Sequence, residues 1–214
     1  MSSFIHLRNS LLSVECNRVR SINAIAREAL SRHDKGVDEW YEERRMVADE
    51  DENAEDRDYL DELYADQKAD AAEAYPQLFF KAIFASAYGT FEQYINSICL
   101  HDAKQRAGVG LRDLRGEGIH RARLYLTKVA GKAFPDTPEW RDLCDYGLLR
   151  NALLHADGDL SANTKAPSIE QLAGRVRTFS VATDLSAVTL TGAFNDAFVE
   201  TIECFAEQLA HALQ

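Results

Sequence analysis

Three residue types suited to phosphate chemistry lie within one short stretch of this sequence. Arg150, Asn151 and His155 interrupt the otherwise apolar segment Leu-Arg-Asn-Ala-Leu-Leu-His. In a helix, Asn151 and His155 are four residues apart and share a face, and only the long side chain of Arg150 lets its guanidinium approach the imidazole. A guanidinium pairs with phosphate oxygens, and an imidazole exchanges protons near neutral pH. The stretch therefore predicts a phosphodiester-cleaving site. With RNA the 2′-hydroxyl is a built-in nucleophile, so no metal ion or cofactor is expected.

The same residues have an ordinary structural alternative. Asn151 and His155 near a helix C-terminus can cap free carbonyl groups, and a cation is favourable there. The other five histidines have no partners at useful spacings, so we expect them to be ordinary surface or core residues: His6, His33, His101, His120 and His211.

The motif needs a helix that presents it and a core that holds the helix. Thr137-Pro138-Glu139 predicts a helix start, and Asp157-Gly158 predicts its end just after His155. Upstream, Pro76 opens or kinks a helix over about 77–103 that is apolar nearly all round, typical of the centre of a bundle. Its aromatic residues are expected in the core: Phe79, Phe80, Phe84 and Phe91.

The rest of the chain predicts further helices and one small sheet. Residues 3–31 form an amphipathic pattern that Gly36 should stop, and residues 193–213 form another. A short helix is expected near 119–130, a loop over 156–168, and a hairpin around Asp184 within 178–191. The fold class is therefore all-α, an up-and-down bundle of four to five main helices in a single domain over 1–214. The apolar stripe of the first helix comprises Phe4, Leu7, Leu11, Val14, Ile22, Ile25 and Ala29.

Charge is distributed unevenly along the chain. The net charge is −11, but residues 38–73 alone hold sixteen acidic and four basic residues, whereas residues 104–132 hold eight basic and two acidic ones. We interpret residues 38–75 as an acidic helical insertion, loosely attached around 47–57. It is either a solubilising helix or a segment that opposes the basic region and limits access of RNA.

Several classes of protein are excluded or disfavoured. No segment approaches the roughly 20 apolar residues of a membrane span, and the first residues do not resemble a secretion signal. Cys16, Cys99, Cys144 and Cys204 are widely spaced, which disfavours a zinc site. We therefore expect a cytoplasmic protein without a membrane partner.

The pattern Arg150-Asn151-Ala-Leu-Leu-His155 resembles the motif of the HEPN superfamily of α-helical proteins, many of which are metal-independent ribonucleases in toxin–antitoxin and phage-defence systems. The likeness covers roughly residues 77–213 and is closest to the RiboL-PSP branch; residues 38–75 have no counterpart. It implies a homodimer with a composite site, in which His155 transfers protons, Arg150 holds the scissile phosphate and Asn151 positions both. Glu92, on the long core helix, either orients the site or is the solvent edge of its helix. A further antitoxin or nucleotidyltransferase-type partner is also implied.

The expected function is thus cleavage of RNA by 2′-oxygen attack, leaving a cyclic phosphate. The alternative is a non-catalytic HEPN-like dimer that binds a nucleotide or a protein partner as a scaffold. The basic region preceding the motif helix is either an RNA-backbone surface or a generic solvated face. Its candidate RNA-binding residues are Arg112, Arg115, Arg121, Arg123 and Lys128.

Overall fold

A computed structural model describes residues 2–50, 54–106, 108–182 and 187–214 of the chain. Its helices and strands are α1 (Ser2–Glu50), α2 (Ala54–Ala69), α3 (Tyr75–Gln105), α4 (Gly118–Leu124), α5 (Pro138–Ala156), α6 (Ala166–Val176), β1 (Phe179–Val181), β2 (Val188–Leu190) and α7 (Gly192–Ala212). The predicted fold class, an all-α bundle with a small hairpin, is confirmed.

The core lies where α1, α3, α5 and α7 meet, and aromatic rings fill it. Phe84 packs edge-on against Phe194 and Phe198, and Phe205 contacts Phe91 and Trp140. These rings are buried, so they contribute large apolar areas. The expectation for α3 was wrong at Phe79, which is about half exposed together with its neighbour Leu78. The start of α3 therefore has an apolar face that the described residues leave uncovered.

Two buried asparagines fix how α1, α3 and α7 pack. The amide of Asn23 on α1 donates to the Gly192 carbonyl at 2.8 Å and to Asp196 at 2.9 Å. Asn195 on α7 donates to the Phe80 carbonyl on α3 at 3.2 Å. Because buried amide groups strongly favour hydrogen bonding, these contacts stabilise the register of the three helices.

The first helix differs from its prediction in length and in orientation. It continues through Gly36 to Glu50, so the predicted stop was wrong; one glycine costs a helix only about 1 kcal/mol. The expected apolar stripe also does not provide the packed face. Leu7, Leu11 and Ile25 are exposed, while the side chains that pack on the bundle include Ile5, Leu12, Cys16 and Ala26.

The acidic segment forms a two-helix arm, which we define as residues 34–50 of α1 with residues 54–69 of α2; α2 packs mainly against α1. The Tyr41 and Tyr64 rings stack at 4.0 Å, and Lys68 bridges Asp34 and Asp38 at 2.6 and 2.7 Å. The Lys68 ammonium and the Tyr64 hydroxyl lower the pKa of Asp38. The sequence predicted a loose attachment around residues 47–57. Residues 51–53 of this stretch lie outside the described residues, and α1 is helical up to Glu50.

A π-helical turn over Asp70–Ala74 joins the arm to α3. Pro76 follows in the first turn of α3, where its missing N–H leaves the helix intact. The chain is therefore helical from Ala54 to Gln105, and Pro76 stands where a π-helical turn gives way to α3, in agreement with the prediction that it opens a helix.

The remaining elements follow the predictions with one omission. Strands β1 and β2 pair antiparallel, Phe179 opposite Leu190, as the hairpin prediction required; its turn at Asp184 lies outside the described residues. The predicted loop over 156–168 gives way at Ala166 to α6, a helix that the sequence analysis missed, with Ile169 and Leu172 buried. Among the described helices, none is both long and apolar enough to cross a bilayer.

Candidate active site

Helix α5 carries the motif and is fixed at both ends. The Thr137 hydroxyl caps its start by accepting the Trp140 backbone N–H at 3.4 Å. Its end turns at Asp157, with φ of 49°, where the Gly158 N–H donates to the Ala152 carbonyl at 3.2 Å. Lys81 of α3 donates to the carbonyl and carboxylate oxygens of Asp157, both at 3.0 Å. The last turn, which contains His155, is therefore held against α3.

A cleft of about 230 Å³ lies between α3, the start of α4 and α5. It collects a guanidinium, an imidazole, two carboxylates, an amide and a phenol in one place. Its polar lining residues are Tyr88, Glu92, Glu117, His120, Arg150 and Asn151.

Two glycines allow the walls of this cleft to approach closely. A Cβ on Gly147 of α5 would lie 2.4 Å from the Tyr88 hydroxyl oxygen, and a Cβ on Gly118 would lie 2.7 Å from Oε1 of Glu92. Gly118 also has a φ of 52°, which glycine adopts without strain. Any larger residue at either position would displace a side chain of the cleft wall.

Arg150 is the central cation of the cleft. It is half-buried, its Nη1 donates to Oδ1 of Asn151 at 3.1 Å, and its Nε is buried without a hydrogen-bond partner among the described residues. Burial raises the pKa of the Tyr88 phenol, the charge of Glu92 adds to that effect, and the charge of Arg150 opposes it. Positive and negative groups thus act on the same small volume.

The structure brings three of the four predicted catalytic residues together. Arg150, Asn151 and Glu92 line the cleft, whereas His155 does not. His155 is exposed in the last turn of α5 beside Leu154, which is 52% exposed. The His155 imidazole therefore faces solvent near an apolar surface. Within one chain it lies outside the cleft that contains Arg150.

One residue that the sequence analysis set aside lines the same cleft. His120 on α4 is exposed, and its ring meets the edge of Trp140 with centroids 6.1 Å apart. Nothing in the spacing of the sequence relates His120 to Arg150, because the packing of α4 on α5 brings them together. The sequence predicted only that His120 lies in a short helix near 119–130.

The candidate RNA-binding residues divide into two groups. Arg112, Arg115 and Lys128 are exposed, and across the described ranges none forms an ion pair. Arg123 is occupied, since its guanidinium lies 5.5 Å from the Phe134 ring centroid and pairs with Asp136 at 3.7 Å. Arg121 is half-buried. The first group is free to contact phosphates. Arg123 is held against the segment that precedes α5 and against Trp140 of α5 itself.

The cysteine of the cleft is not set up as a nucleophile. Burial is the main cause that raises the pKa of the Cys144 thiol to about 12, so almost none of it is thiolate at neutral pH. The cleft thus offers proton-transfer and phosphate-binding groups and no activated thiol.

No protein-family model, curated protein or solved structure matches this chain.

Proposed function

We propose that this protein is a metal-independent, HEPN-like endoribonuclease that cleaves RNA by attack of the 2′-oxygen. The observation that carries the proposal is the cleft position of Arg150. Its half-buried guanidinium is held by Asn151 beside Glu92, and His155 is exposed one turn further along α5. A guanidinium held in a partly dry cleft stabilises the charge that develops on a phosphorane far better than one in water.

A homodimer accounts for the separation of His155 from the cleft. In this proposal, two motifs face each other across a two-fold axis, and His155 of one protomer serves the Arg150 cleft of the other. Exposed apolar side chains beside the motif support this arrangement: Leu154 is 52% and Leu78 67% exposed, and both line a shallow groove between α3 and α5. We propose that the protein acts as a toxin or phage-defence effector in the cytoplasm, with an antitoxin or nucleotidyltransferase-type protein as a further partner.

The test is cleavage of a labelled RNA by the purified protein in excess EDTA. The wild type should yield fragments with cyclic phosphate ends, which mass spectrometry identifies. Arg150→Ala and His155→Ala should each lower the cleavage rate by about 10²-fold or more, because they remove charge stabilisation and proton transfer.

Two matched variants test whether removal of any exposed arginine or histidine lowers the cleavage rate. Arg141→Ala removes an exposed arginine from the same helix, and His211→Ala removes an exposed histidine from α7. Both should cut RNA at the wild-type rate. Equal cleavage by Arg150→Ala, His155→Ala and these controls would refute the proposed site.

A second candidate function is a non-catalytic dimeric binding or scaffold protein. The exposed apolar stripe of α1, which includes Leu7, Leu11 and Ile25, favours it because such patches mark protein contacts. Growth of cells expressing the protein separates the two functions. A scaffold should affect growth equally as wild type and as His155→Ala, whereas a ribonuclease should be toxic only as wild type.

A further inference from the structure

Cleavage of RNA by its own 2′-oxygen requires two proton transfers. A bond forms between the 2′-oxygen and phosphorus while the bond from phosphorus to the 5′-oxygen breaks. The 2′-hydroxyl must lose a proton, and the departing 5′-oxygen must gain one. In the proposed dimer the motif supplies each cleft with a single imidazole, His155 of the facing protomer, so one of the two proton transfers is not yet assigned to an imidazole.

His120 is the second imidazole available to the scissile phosphate. It lines the same cleft as Arg150 and Asn151, within one chain and without any contribution from a second copy. Because its ring is exposed, it can exchange protons with water between turnovers. Among the described histidines, it is the one that shares this cleft with Arg150.

The position of His120 is determined by its neighbours. Gly118 is pressed against the Glu92 carboxylate, Ile119 is buried at 2% exposure, and the His120 ring meets the edge of the buried Trp140. The buried Ile119 thus anchors the backbone next to His120, and the contact with Trp140 orients the ring at the edge of the cleft, as proton transfer to a bound phosphate requires.

Charged and polar groups face the cleft from each of its walls. Glu92 and Tyr88 face the cleft from α3, Glu117 precedes α4, and Cys144 and Arg150 face it from α5. Two carboxylates and one guanidinium therefore act on the volume that the His120 ring borders.

We propose that His120 is the general acid of this reaction. Its imidazolium protonates the 5′-oxygen as the bond to phosphorus breaks, His155 takes the proton of the 2′-hydroxyl, and Arg150 holds the phosphate. This inference rests on the proposed ribonuclease function and adds a residue that the motif does not contain.

The test compares two substrates, ordinary RNA and the same RNA with sulfur in place of the scissile 5′-oxygen. A thiolate leaves without a proton, so the sulfur substrate does not need a general acid. His120→Ala should cleave ordinary RNA about 10²–10⁴-fold more slowly than wild type, yet cleave the sulfur substrate at close to the wild-type rate. Arg150→Ala should be slow on both.

The pH dependence gives a second readout. General-acid catalysis makes the rate decline at high pH, so wild-type cleavage of ordinary RNA should show this alkaline decline and His120→Ala should lack it. His211→Ala is the matched control, and thermal melting of each variant checks folding, with His120→Gln replacing His120→Ala should the latter unfold.

Each outcome decides between the hypotheses. Wild-type rates of His120→Ala on ordinary RNA overturn the role of His120 and leave the ribonuclease intact. Equal loss on both substrates also overturns it, because His120 then positions the substrate without donating a proton. Absence of cleavage by wild type on both substrates overturns the ribonuclease and this inference together.

Discussion

At the residue scale, the shape of the cleft depends on the absence of a side chain at Gly147. Gly147→Ala would place a Cβ 2.4 Å from the Tyr88 hydroxyl oxygen and 3.2 Å from its Cζ. Tyr88 is buried between Phe84, Phe91 and Phe198, so its ring cannot move away freely. We expect Gly147→Ala to lower the free energy of unfolding by about 1–3 kcal/mol, as overpacking does elsewhere, measured by urea denaturation.

Gly36→Ala is the matched control for this substitution. Gly36 also lies inside a helix, but a Cβ there would meet nothing within 4 Å. Because alanine favours the helix, this variant should be more stable than wild type by about 0.5–1 kcal/mol. Similar stabilisation of both variants would show that Tyr88 does not press against Gly147.

At the element scale, the packing of α1 shows which of its two apolar faces meets the bundle. Leu11 and Leu12 are adjacent and identical in type, but Leu11 is 46% exposed and Leu12 is 4% exposed. Leu12→Ala should lower the free energy of unfolding by about 2–4 kcal/mol, because it leaves a cavity in the core. Leu11→Ala should change it by less than about 1 kcal/mol. Urea denaturation of both variants checks the assignment, and a reversed order would return α1 to the orientation that the sequence suggested.

The same helix explains how far the sequence could predict this fold. Helix ends with local signals, such as Thr137 and Asp157, were correctly predicted because capping chemistry is local. The packed face of α1 was not, since Leu11 and Leu12 both fit an apolar repeat and only α3 and α7 decide between them. The cleft position of His120 was missed for the same reason, because it arises from packing between α4 and α5. Glu92 was found only through the resemblance to a family.

At the scale of the whole molecule, an acidic arm and a basic region occupy different parts of one chain. The arm's ion pairs are largely internal, as in Lys68 with Asp34 and Asp38, and α2 packs mainly on α1. Arg112, Arg115 and Lys128 remain exposed. The basic region begins at the end of α3 where His101 stacks on Phe4, and thirty helical residues of α1, about 45 Å, separate Phe4 from the start of the arm at Asp34. Since salt at 0.1 M screens charges over about 10 Å, the field of the arm contributes little at the basic region.

This separation predicts how neutralising the arm changes binding of RNA. Replacing the exposed Glu42, Glu43 and Glu62 by glutamine should therefore tighten binding of a single-stranded RNA no more than an equal change of net charge elsewhere does. The control replaces three exposed acids outside the arm, Glu170, Glu200 and Glu207, and changes the net charge equally. Affinities measured by fluorescence anisotropy across a salt series distinguish the two. If both triple variants gain the same affinity, net charge alone is responsible and the arm is a solubilising element. A gain confined to the arm variant means that the arm limits access of RNA to the basic region.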